Sequence, residues 1–236
     1  MNQDWQQRTA RLLGERAVED LNRARVIVFG LGGVGGYVVE ALARAGVGTL
    51  GLVDADTIAP SNLNRQILAL RSTVGMRKTQ VAAVRIADIC PDIRVREYPM
   101  FYLPDNADAI DLSEYDYIVD AIDTVSAKLA LIERSKSLGI PYIGVLGTGN
   151  KRDPAALRVG DLCDTRVCPL ARVMRRECKA RGIAHACVVW SDEIPTVPDA
   201  DPRVPSSMAT VPSAAGLLAA SHVIEKLIDK HGEVCA

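Results

Sequence analysis

Residues 25–56 contain a complete βαβ unit of the nucleotide-binding type, and no other part of the chain restricts the fold as strongly. An apolar run at residues 26–29 leads into GLGGVGG, a helical stretch at residues 37–45 follows, and a second apolar run occupies residues 50–53. Such glycines let the backbone turn sharply and approach a phosphate group, and the helix that begins there offers free amide groups to it. The glycines in or beside the GxGxxG pattern are Gly30, Gly32, Gly33 and Gly35.

Acidic residues close the second apolar run, where Asp54 ends the strand and Asp56 follows two positions later. An acid at this point, about 20 residues after the glycines, can bind a ribose hydroxyl group. One N-terminal helix is predicted before this unit, five strands in all alternate with helices up to residue 145, and a basic helix, a strand with Cys187, a loop and a last helix follow. This order predicts an α/β fold with a doubly wound, mostly parallel, Rossmann-like sheet.

A polar loop after the second strand favours a triphosphate over a dinucleotide. It contains Asn62, Arg65 and Gln66, and Lys78 lies at the start of a helical stretch at residues 77–89. Arg65 can grip phosphate oxygens through two parallel hydrogen bonds, while Lys78 can act as a point charge. Together the two cations can neutralise charge that develops on phosphates during group transfer. The alternative for each is a solvated surface cation.

Two acids, Asp120 and Asp123, follow an apolar strand in the sequence YDYIVDAIDT. Ligands of an open α/β sheet bind beyond the carboxyl ends of the strands, so we expect both acids to face the same crevice as Gly32. Magnesium favours one or two carboxylates together with phosphates and water. Asp123 is the better candidate ligand because it lies past the end of the run, whereas Asp120 is equally well explained as a structural acid.

These motifs in this order resemble the adenylating enzymes of the ubiquitin-activating superfamily, which include the bacterial activators of sulfur-carrier proteins. The resemblance covers roughly residues 8–147 and rests on the glycine motif, DAD, NLNRQ, a lysine thirteen residues after that arginine, and DAID. It implies that Asp54 binds the ribose of ATP, that Asn62, Arg65 and Lys78 bind its phosphates, and that Asp123 binds Mg²⁺. It also implies a homodimer in which Arg11, in the segment RTARLLG, reaches the γ-phosphate of the partner subunit's ATP.

Cysteine spacing and three further segments favour one branch of this superfamily. The sulfur-carrier activators typically hold a structural zinc ion with two CxxC pairs, and this chain has no CxxC. The segments RTARLLGERAVEDL, VDAD and SAAGLLAASHVIEKLI resemble the zinc-free branch that includes the tRNA threonylcarbamoyladenosine dehydratases. Between about residues 153 and 212 the resemblance is poor.

The resemblance implies ATP-driven activation of a carboxylate on a modified adenosine in the anticodon loop of tRNA, followed by loss of water. Attack on the α-phosphate would give an acyl adenylate, and an internal nucleophile would then close a ring. The alternative is adenylation of the C-terminal glycine of a ubiquitin-like sulfur-carrier protein, which would make that carrier or a sulfur-transfer protein a partner. A nucleotide-binding protein without turnover remains a further hypothesis.

A cysteine offers another route for the activated acyl group, since some relatives pass it to a thiol. Cys187 lies on a short apolar run, and nearby His185 and a basic stretch favour a depressed thiol pKa. Small buried cysteines are also common in strands. Cys187 is therefore a candidate nucleophile beside a structural alternative.

A basic stretch, residues 166–182, contains six Lys or Arg residues against one acid. On a helix these cations could contact RNA phosphates without reading sequence, although a solvated helix face is the common explanation of a charge run. The net charge of −1 gives no overall nucleic-acid footprint, so RNA contact requires a local patch such as this one. The candidate RNA-binding residues are Arg172, Arg175, Arg176 and Lys179.

The remaining features concern organisation and location. We divide the chain into an ATP-binding domain at residues 1–150 and a substrate-facing extension at residues 151–236 of the same globular unit. Residues 191–212 are rich in proline and are predicted to form a mobile loop near the active site. The final helical stretch, residues 214–228, is too short and mixed for a membrane span. Irregular cysteine spacing and the absence of a signal-peptide pattern favour the cytoplasm.

Overall fold

The computed structural model describes residues 4–196 and 205–229. Its seven strands form one sheet in the order β3-β2-β1-β4-β5-β7-β6. All neighbouring strands are parallel except β6 and β7, which are antiparallel. The predicted α/β fold with a mostly parallel sheet is therefore confirmed. The strands are β1 (Arg25–Phe29), β2 (Thr49–Val53), β3 (Arg94–Tyr98), β4 (Tyr117–Asp120), β5 (Tyr142–Val145), β6 (Leu157–Asp161) and β7 (Cys187–Ser191).

Helices cover both faces of the sheet, as a doubly wound fold requires. The apolar core on one face includes residues of α2, α3, α4 and α7, and the core on the other face includes residues of α5 and α6. The central strands read as continuous apolar runs because both of their faces are buried. The helices are α1 (Gln7–Leu13), α2 (Glu15–Arg23), α3 (Gly35–Ala45), α4 (Lys78–Ile89), α5 (Val125–Leu138), α6 (Pro169–Ala180) and α7 (Thr210–Ile228).

Two predictions about element order were wrong. The amino-terminal segment forms two helices rather than one, because Gly14 has a φ of 89° and interrupts the helix between α1 and α2. Strand β6 was not predicted at all. It pairs antiparallel with β7 at the edge of the sheet and carries charged residues at both faces, so its sequence shows no apolar run.

The last helix, α7, ties the carboxyl-terminal part of the chain to the nucleotide-binding half. It buries Val211, Ala215, Ala219 and Val223, which recur every four residues and so form one face. A Cβ on Gly216 would lie 2.4 Å from the carbonyl oxygen of Val34, so α7 needs a glycine there to pack closely against the start of α3.

The prediction that this last helix is too short and mixed to cross a membrane was wrong as a statement about length and composition. Within the described residues, α7 is the one helix that is long and apolar enough to cross a membrane. In its apolar stretch of 18 residues, 44% is buried inside the protein. The buried face packs mainly on α3 and also on α2 and the sheet. Those contacts are what a core helix of a soluble fold makes.

Candidate active site

A cavity of about 810 Å³ opens at the carboxyl edge of the sheet. It lies where the chain reverses direction across the sheet, between β1 and β4, which is the usual ligand position in open α/β folds. Its walls come from the loops after β1, β2, β4 and β5, from the first turn of α6 and from residues 205–212. Almost all of the predicted nucleotide-binding residues line it: Gly30, Gly32, Gly33, Asp54, Asp56, Asn62, Arg65, Gln66, Lys78 and Asp123.

The glycine loop has the tight turn that its sequence predicts. Gly30 has a φ of 84°, and a Cβ there would lie 2.7 Å from the carbonyl oxygen of Ala121. A Cβ on Gly35 would lie 1.7 Å from the carbonyl oxygen of Gly30, so no other residue fits that position without moving the loop. Gly35 itself does not line the cavity; it makes room for the turn and begins α3. Gly30, Gly32 and Gly33 line the cavity, and a turn of this kind at the start of a helix can offer amide groups to a phosphate.

Asp54, Asp56 and Lys78 form a charge cluster at the end of β2. The Lys78 side chain is only 6% exposed, and its Nζ lies 2.7 Å from Asp56 Oδ2 and 3.6 Å from Asp54 Oδ2. The carboxylate of Asp54 also accepts hydrogen bonds from the amides of Leu31 and Asp56, at 2.6 and 2.8 Å. Asp54 therefore holds the glycine loop in place, and the Lys78 ammonium group has two carboxylates of the chain itself as counter-charges.

The NLNRQ loop is held by its own short-range hydrogen bonds. The side-chain oxygen of Asn62 accepts from the Ala59 amide at 3.0 Å, and Arg65 Nη1 donates to the Ser61 carbonyl and to Asn64 Oδ1, both at 2.9 Å. Within the described chain Arg65 makes no ion pair, so its guanidinium charge is available to phosphate oxygens. Gln66 is buried against the glycine loop, and its side-chain oxygen has no hydrogen-bond partner there.

The two acids after β4 have different environments, which corrects one expectation. Asp123 is exposed and lines the cavity. Asp120 is fully buried and does not face the crevice, because Lys128 Nζ donates to it at 3.1 Å and the Tyr142 hydroxyl donates to it at 2.6 Å. Burial and the nearby Asp120 charge raise the pKa of Tyr142 well above its ordinary value. Asp120 is thus the structural acid of the pair.

Lys151 and Cys168 are among the cavity residues that sequence reasoning missed. Lys151 ends the GTGNK loop after β5 and is 3% exposed, while Cys168 precedes the first turn of α6 and is 1% exposed. A Cβ on Gly147 would lie 2.4 Å from Cys168 Sγ, which shows how closely the loop approaches the helix. The glycines of GTGNK directly after a predicted strand were the available signal.

The segment that begins at residue 205 forms hydrogen bonds with two loops of the cavity wall, the loop after β2 and the loop after β5. Asn64 Nδ2 donates to the Ser207 carbonyl at 2.9 Å, and Asn150 exchanges hydrogen bonds of 2.7 and 2.6 Å with Ser206. Asn150 has a φ of 60°, which is uncommon for a residue with a side chain. The predicted loop at residues 191–212 does therefore border the cavity at both of its flanks, whereas residues 197–204, on which its predicted mobility depends, lie outside the described residues.

Cys187 lies away from the cavity, which argues against its role as a nucleophile. It is the first residue of β7, which runs parallel to β5, so it lies at the opposite end of the strands from the cavity and does not line it. Burial raises its pKa, the nearby carboxylate of Asp161 raises it further, and the neighbouring His222 has a pKa lowered by burial. These shifts keep the thiol protonated at neutral pH, which is the opposite of an activated cysteine.

The basic stretch forms α6, as predicted, but one of its arginines is not available to RNA. The guanidinium group of Arg175 donates to both the carbonyl and the hydroxyl oxygen of Thr165. The other three candidates, Arg172, Arg176 and Lys179, are exposed and lie at i, i+4 and i+7, so they share one helix face. Glu177 pairs with Arg176 at 2.9 Å and with Arg181 at 2.8 Å, which partly neutralises the patch.

Arg11 is exposed on α1 and does not line the cavity of its own subunit. Helix α1 buries none of its residues, and Leu12 beside Arg11 is 81% exposed. The position is compatible with a reach into another subunit, and it excludes a direct role of Arg11 in the cavity described above.

Comparison with known proteins gives one consistent result. Residues 6–235 match the ThiF family. The tRNA threonylcarbamoyladenosine dehydratase of Bacillus subtilis (strain 168) is 38% identical over 232 residues, which cover 92% of this chain and 91% of that protein. The crystal structure of the Escherichia coli enzyme of that name, in complex with AMP, superposes with a TM-score of 0.89 at 37% identity and covers 96% of each chain. The same enzyme in complex with ATP gives a TM-score of 0.86 at 36% identity, again over 96% of each chain.

Proposed function

The chain belongs to the ThiF family, and from this premise we propose that it is an ATP-dependent dehydratase that acts on threonylcarbamoyladenosine in tRNA. One observation supports this most directly: a single cavity brings together a glycine loop, the acid Asp54, the cations Arg65 and Lys78, and the exposed carboxylate of Asp123. This set binds and polarises a triphosphate. No side chain in the proposed chemistry has to act as a nucleophile.

The first step is adenylation of the substrate carboxylate. One of its oxygens attacks the α-phosphorus of ATP, a P–O bond forms, and pyrophosphate leaves with the electrons of the bond that breaks. The amides of the glycine loop and the charges of Arg65 and Lys78 stabilise the negative charge that moves onto the leaving phosphates. Lys78 can do so because its contacts to Asp54 and Asp56 are ion pairs that phosphate oxygens can replace.

The second step is ring closure. A nitrogen or oxygen of the same threonylcarbamoyl group attacks the activated carbonyl carbon, loses its proton and expels AMP, so the nucleoside has lost one water molecule overall. An intramolecular nucleophile can act at an effective molarity of about 10⁵ M or more. The enzyme therefore mainly binds, aligns and keeps bulk water away from the adenylate.

Magnesium belongs to the proposal through Asp123. Among residues 4–196 and 205–229 no three His, Cys, Asp or Glu side chains are grouped to hold a metal ion by themselves. The exposed carboxylate of Asp123 on the cavity wall nevertheless fits Mg²⁺, which commonly takes one or two carboxylates and completes its shell with phosphate oxygens and water. When bound, the ion would supply positive charge to the triphosphate, and Asp123 would hold it.

A homodimer is also part of the proposal, with Arg11 completing the partner's site. Mixing two inactive variants tests it. A dimer of Arg11→Ala and Lys78→Met subunits has one site with both residues intact, so an equal mixture that exchanges subunits should recover about a quarter of the wild-type rate. No recovery, in a mixture shown to form mixed dimers, would place Arg11 outside the reaction.

The proposal also assigns RNA contact to the exposed face of α6 and places the enzyme in the cytoplasm with tRNA. Arg172, Arg176 and Lys179 would bind phosphates and position the tRNA without reading its sequence. A sulfur-carrier or sulfur-transfer protein is not needed for this chemistry.

The decisive assay supplies Mg-ATP with tRNA that carries threonylcarbamoyladenosine, beside the same tRNA without the modification. We expect AMP release only with the modified tRNA, together with a nucleoside mass lower by that of one water molecule. ATP binding without AMP release from either tRNA would overturn the proposal, and a carrier protein ending in Gly-Gly would then be the substrate to assay.

A further inference from the structure

Lys151 is a buried cation of the cavity that has no carboxylate beside it. Its residue is 3% exposed, and its Nζ donates to the carbonyl oxygen of Ser191 at 3.1 Å. Throughout residues 4–196 and 205–229, no Asp or Glu oxygen lies within 4.0 Å of that nitrogen. An ammonium group has three N–H donors, so the one contact to Ser191 leaves two of them without a partner in the described chain.

Besides the neighbouring Cys168, two carboxylates, those of Glu193 and Asp192, act on Lys151 by their charge, and both are engaged elsewhere. Glu193 accepts hydrogen bonds from the amides of Arg152 and Asp153, at 3.0 and 2.9 Å. Asp192 accepts from the Trp190 indole at 2.9 Å and lies 3.5 Å from Arg158. Both therefore influence Lys151 only at longer range, while its burial lowers its pKa below the ordinary value.

A buried ammonium group without a counter-ion is unfavourable, because water no longer solvates it and no anion replaces the water. A surface lysine would have avoided this cost. The cost is recovered when an anion enters the cavity, since Lys151 lies on the cavity wall.

The first turn of α6 adds a second source of positive potential at the same place. Cys168, Pro169 and Leu170 line the cavity, and Cys168 makes no side-chain hydrogen bond to the amides of that turn. The start of a twelve-residue helix has unpaired amide groups and the positive end of the helix dipole, both of which favour an anion.

The position of Lys151 along the sheet edge identifies which anion this is. Asp54 follows β2, the glycine loop follows β1, Asp123 follows β4, and Lys151 follows β5, beside the end of β7. Lys151 is therefore on the far side of the glycine loop from the proposed ribose and from Lys78. Once the phosphates of ATP are assigned to the glycine loop, Arg65 and Lys78, the anion left for Lys151 is the carboxylate that attacks the α-phosphate.

We propose that Lys151, together with the first turn of α6, binds the carboxylate of the threonylcarbamoyl group before adenylation. This rests on the proposed function. The carboxylate loses its charge when it becomes an adenylate, so the ion pair is strongest with the unreacted substrate. Lys151 accordingly sets the affinity for a carboxylate substrate more than the rate of the chemical step.

The test compares steady-state constants of three variants with wild type. Lys151→Met keeps the length of the side chain without its charge, Lys151→Arg keeps the charge, and Lys136→Met removes an exposed lysine outside the cavity. Lys151→Met should raise the KM for modified tRNA about 10- to 100-fold with kcat within about threefold. Lys151→Arg should recover part of the loss, and Lys136→Met should match wild type.

A phosphate of ATP is the other anion that Lys151 could bind, and the same measurements separate the two. An unchanged dissociation constant for ATP in Lys151→Met supports the substrate carboxylate. A weakened ATP complex with an unchanged KM for tRNA would overturn the proposal, as would two unchanged constants. Wild-type turnover in the same assay shows that the proposed function stands even if the role of Lys151 fails.

A second measurement needs no variant and so does not depend on whether Lys151→Met folds. The free nucleoside threonylcarbamoyladenosine and its carboxamide analogue compete with modified tRNA for the wild-type enzyme. We expect the carboxylate to compete at least about 10-fold better than the carboxamide, which has the same shape without the charge. Equal competition by the two nucleosides would overturn the proposal.

Discussion

Lys78 and Lys151 are both buried lysines of one cavity, yet the protein compensates their charges in opposite ways. Lys78, at the end near β2, has two carboxylates within 4 Å, whereas Lys151, at the end near β5, has only a carbonyl oxygen among the residues that the structure describes. At the first end the folded protein supplies its own counter-charge, and a phosphate must displace it. At the second end the counter-charge comes with the ligand. On this proposal, Lys78 exchanges the carboxylates of the protein for a phosphate, whereas Lys151 gains its first counter-ion when the ligand binds.

A third buried lysine, Lys128, provides the reference for this comparison. It is fully buried, pairs with Asp120 and does not line the cavity. Its hydrogen bonds to Asp120 and to the Val145 carbonyl join β4, α5 and β5 just beneath the site. Of the three lysines, it is the one that does not line the cavity, so its substitution should affect stability rather than function.

The largest expected effect is on the free energy of unfolding of Lys128→Met. The substitution leaves Asp120 buried without its cation, which typically costs about 3–5 kcal/mol. Urea unfolding measures it, with Lys136→Met as the exposed control. The folded fraction of Lys128→Met should keep a near-normal KM for tRNA; an unchanged unfolding midpoint would contradict the assignment of this pair as structural.

Next comes Lys78→Met, which should lower kcat about 100- to 1000-fold if its charge acts mainly on the developing negative charge. ATP binding should weaken much less, because the glycine loop and Arg65 remain. Single-turnover AMP formation and ATP titration measure the two effects. A selective rise in the KM for tRNA would instead show that Lys78, like Lys151, acts on substrate binding, and would contradict the contrast between the two lysines.

A smaller effect is expected on the exposed face of α6. Charge reversal of both Arg172 and Arg176 should raise the KM for tRNA several-fold. It should also reduce the slope of log KM against log salt concentration by about 2, which corresponds to the loss of about two phosphate contacts. Arg175→Gln is the matched control, because Thr165 already holds that guanidinium group. Equal salt dependence in the double variant and wild type would remove the patch from tRNA binding.

The smallest effect is expected for Cys187→Ala, whose activity should stay within about twofold of wild type. Because burial raises the pKa of this thiol, less of it is thiolate at pH 7 than for an ordinary cysteine, and alkylation of Cys187 should accelerate only as the pH rises. Peptide mapping after iodoacetamide treatment measures this. A hundredfold loss of activity in the alanine variant would return Cys187 to the mechanism.

The parts of the site that depend on local spacing were readable from the sequence. The glycine loop, Asp54, NLNRQ and Lys78 follow one another at intervals set by one βαβ unit, and the superfamily resemblance they imply is confirmed by the family match. The dimer, Mg²⁺ and RNA-contact residues stay predictions. Local patterns sufficed because the backbone that binds a phosphate is itself local.

The parts that depend on tertiary packing were not readable. Lys151 looks like any loop lysine until β5, β7 and α6 meet around it. Asp120 and Asp123 lie three residues apart at the end of the same strand, and contacts from Lys128 and Tyr142 distinguish the buried acid from the exposed one. Cys187 was correctly placed on a strand, but the sequence does not tell which end of that strand faces the cavity.

Asn150 has a consequence for how this enzyme could diverge. Thr196 donates its amide to the Asn150 carbonyl at 2.7 Å, and Ser206 binds the Asn150 side chain, so the chain on either side of residues 197–204 is anchored at one residue. The entropy of closing a loop grows only slowly with length, by about 0.6 kcal/mol for each doubling. Insertions and deletions between the two anchors should therefore accumulate over evolution at little cost in loop-closure free energy to the rest of the site.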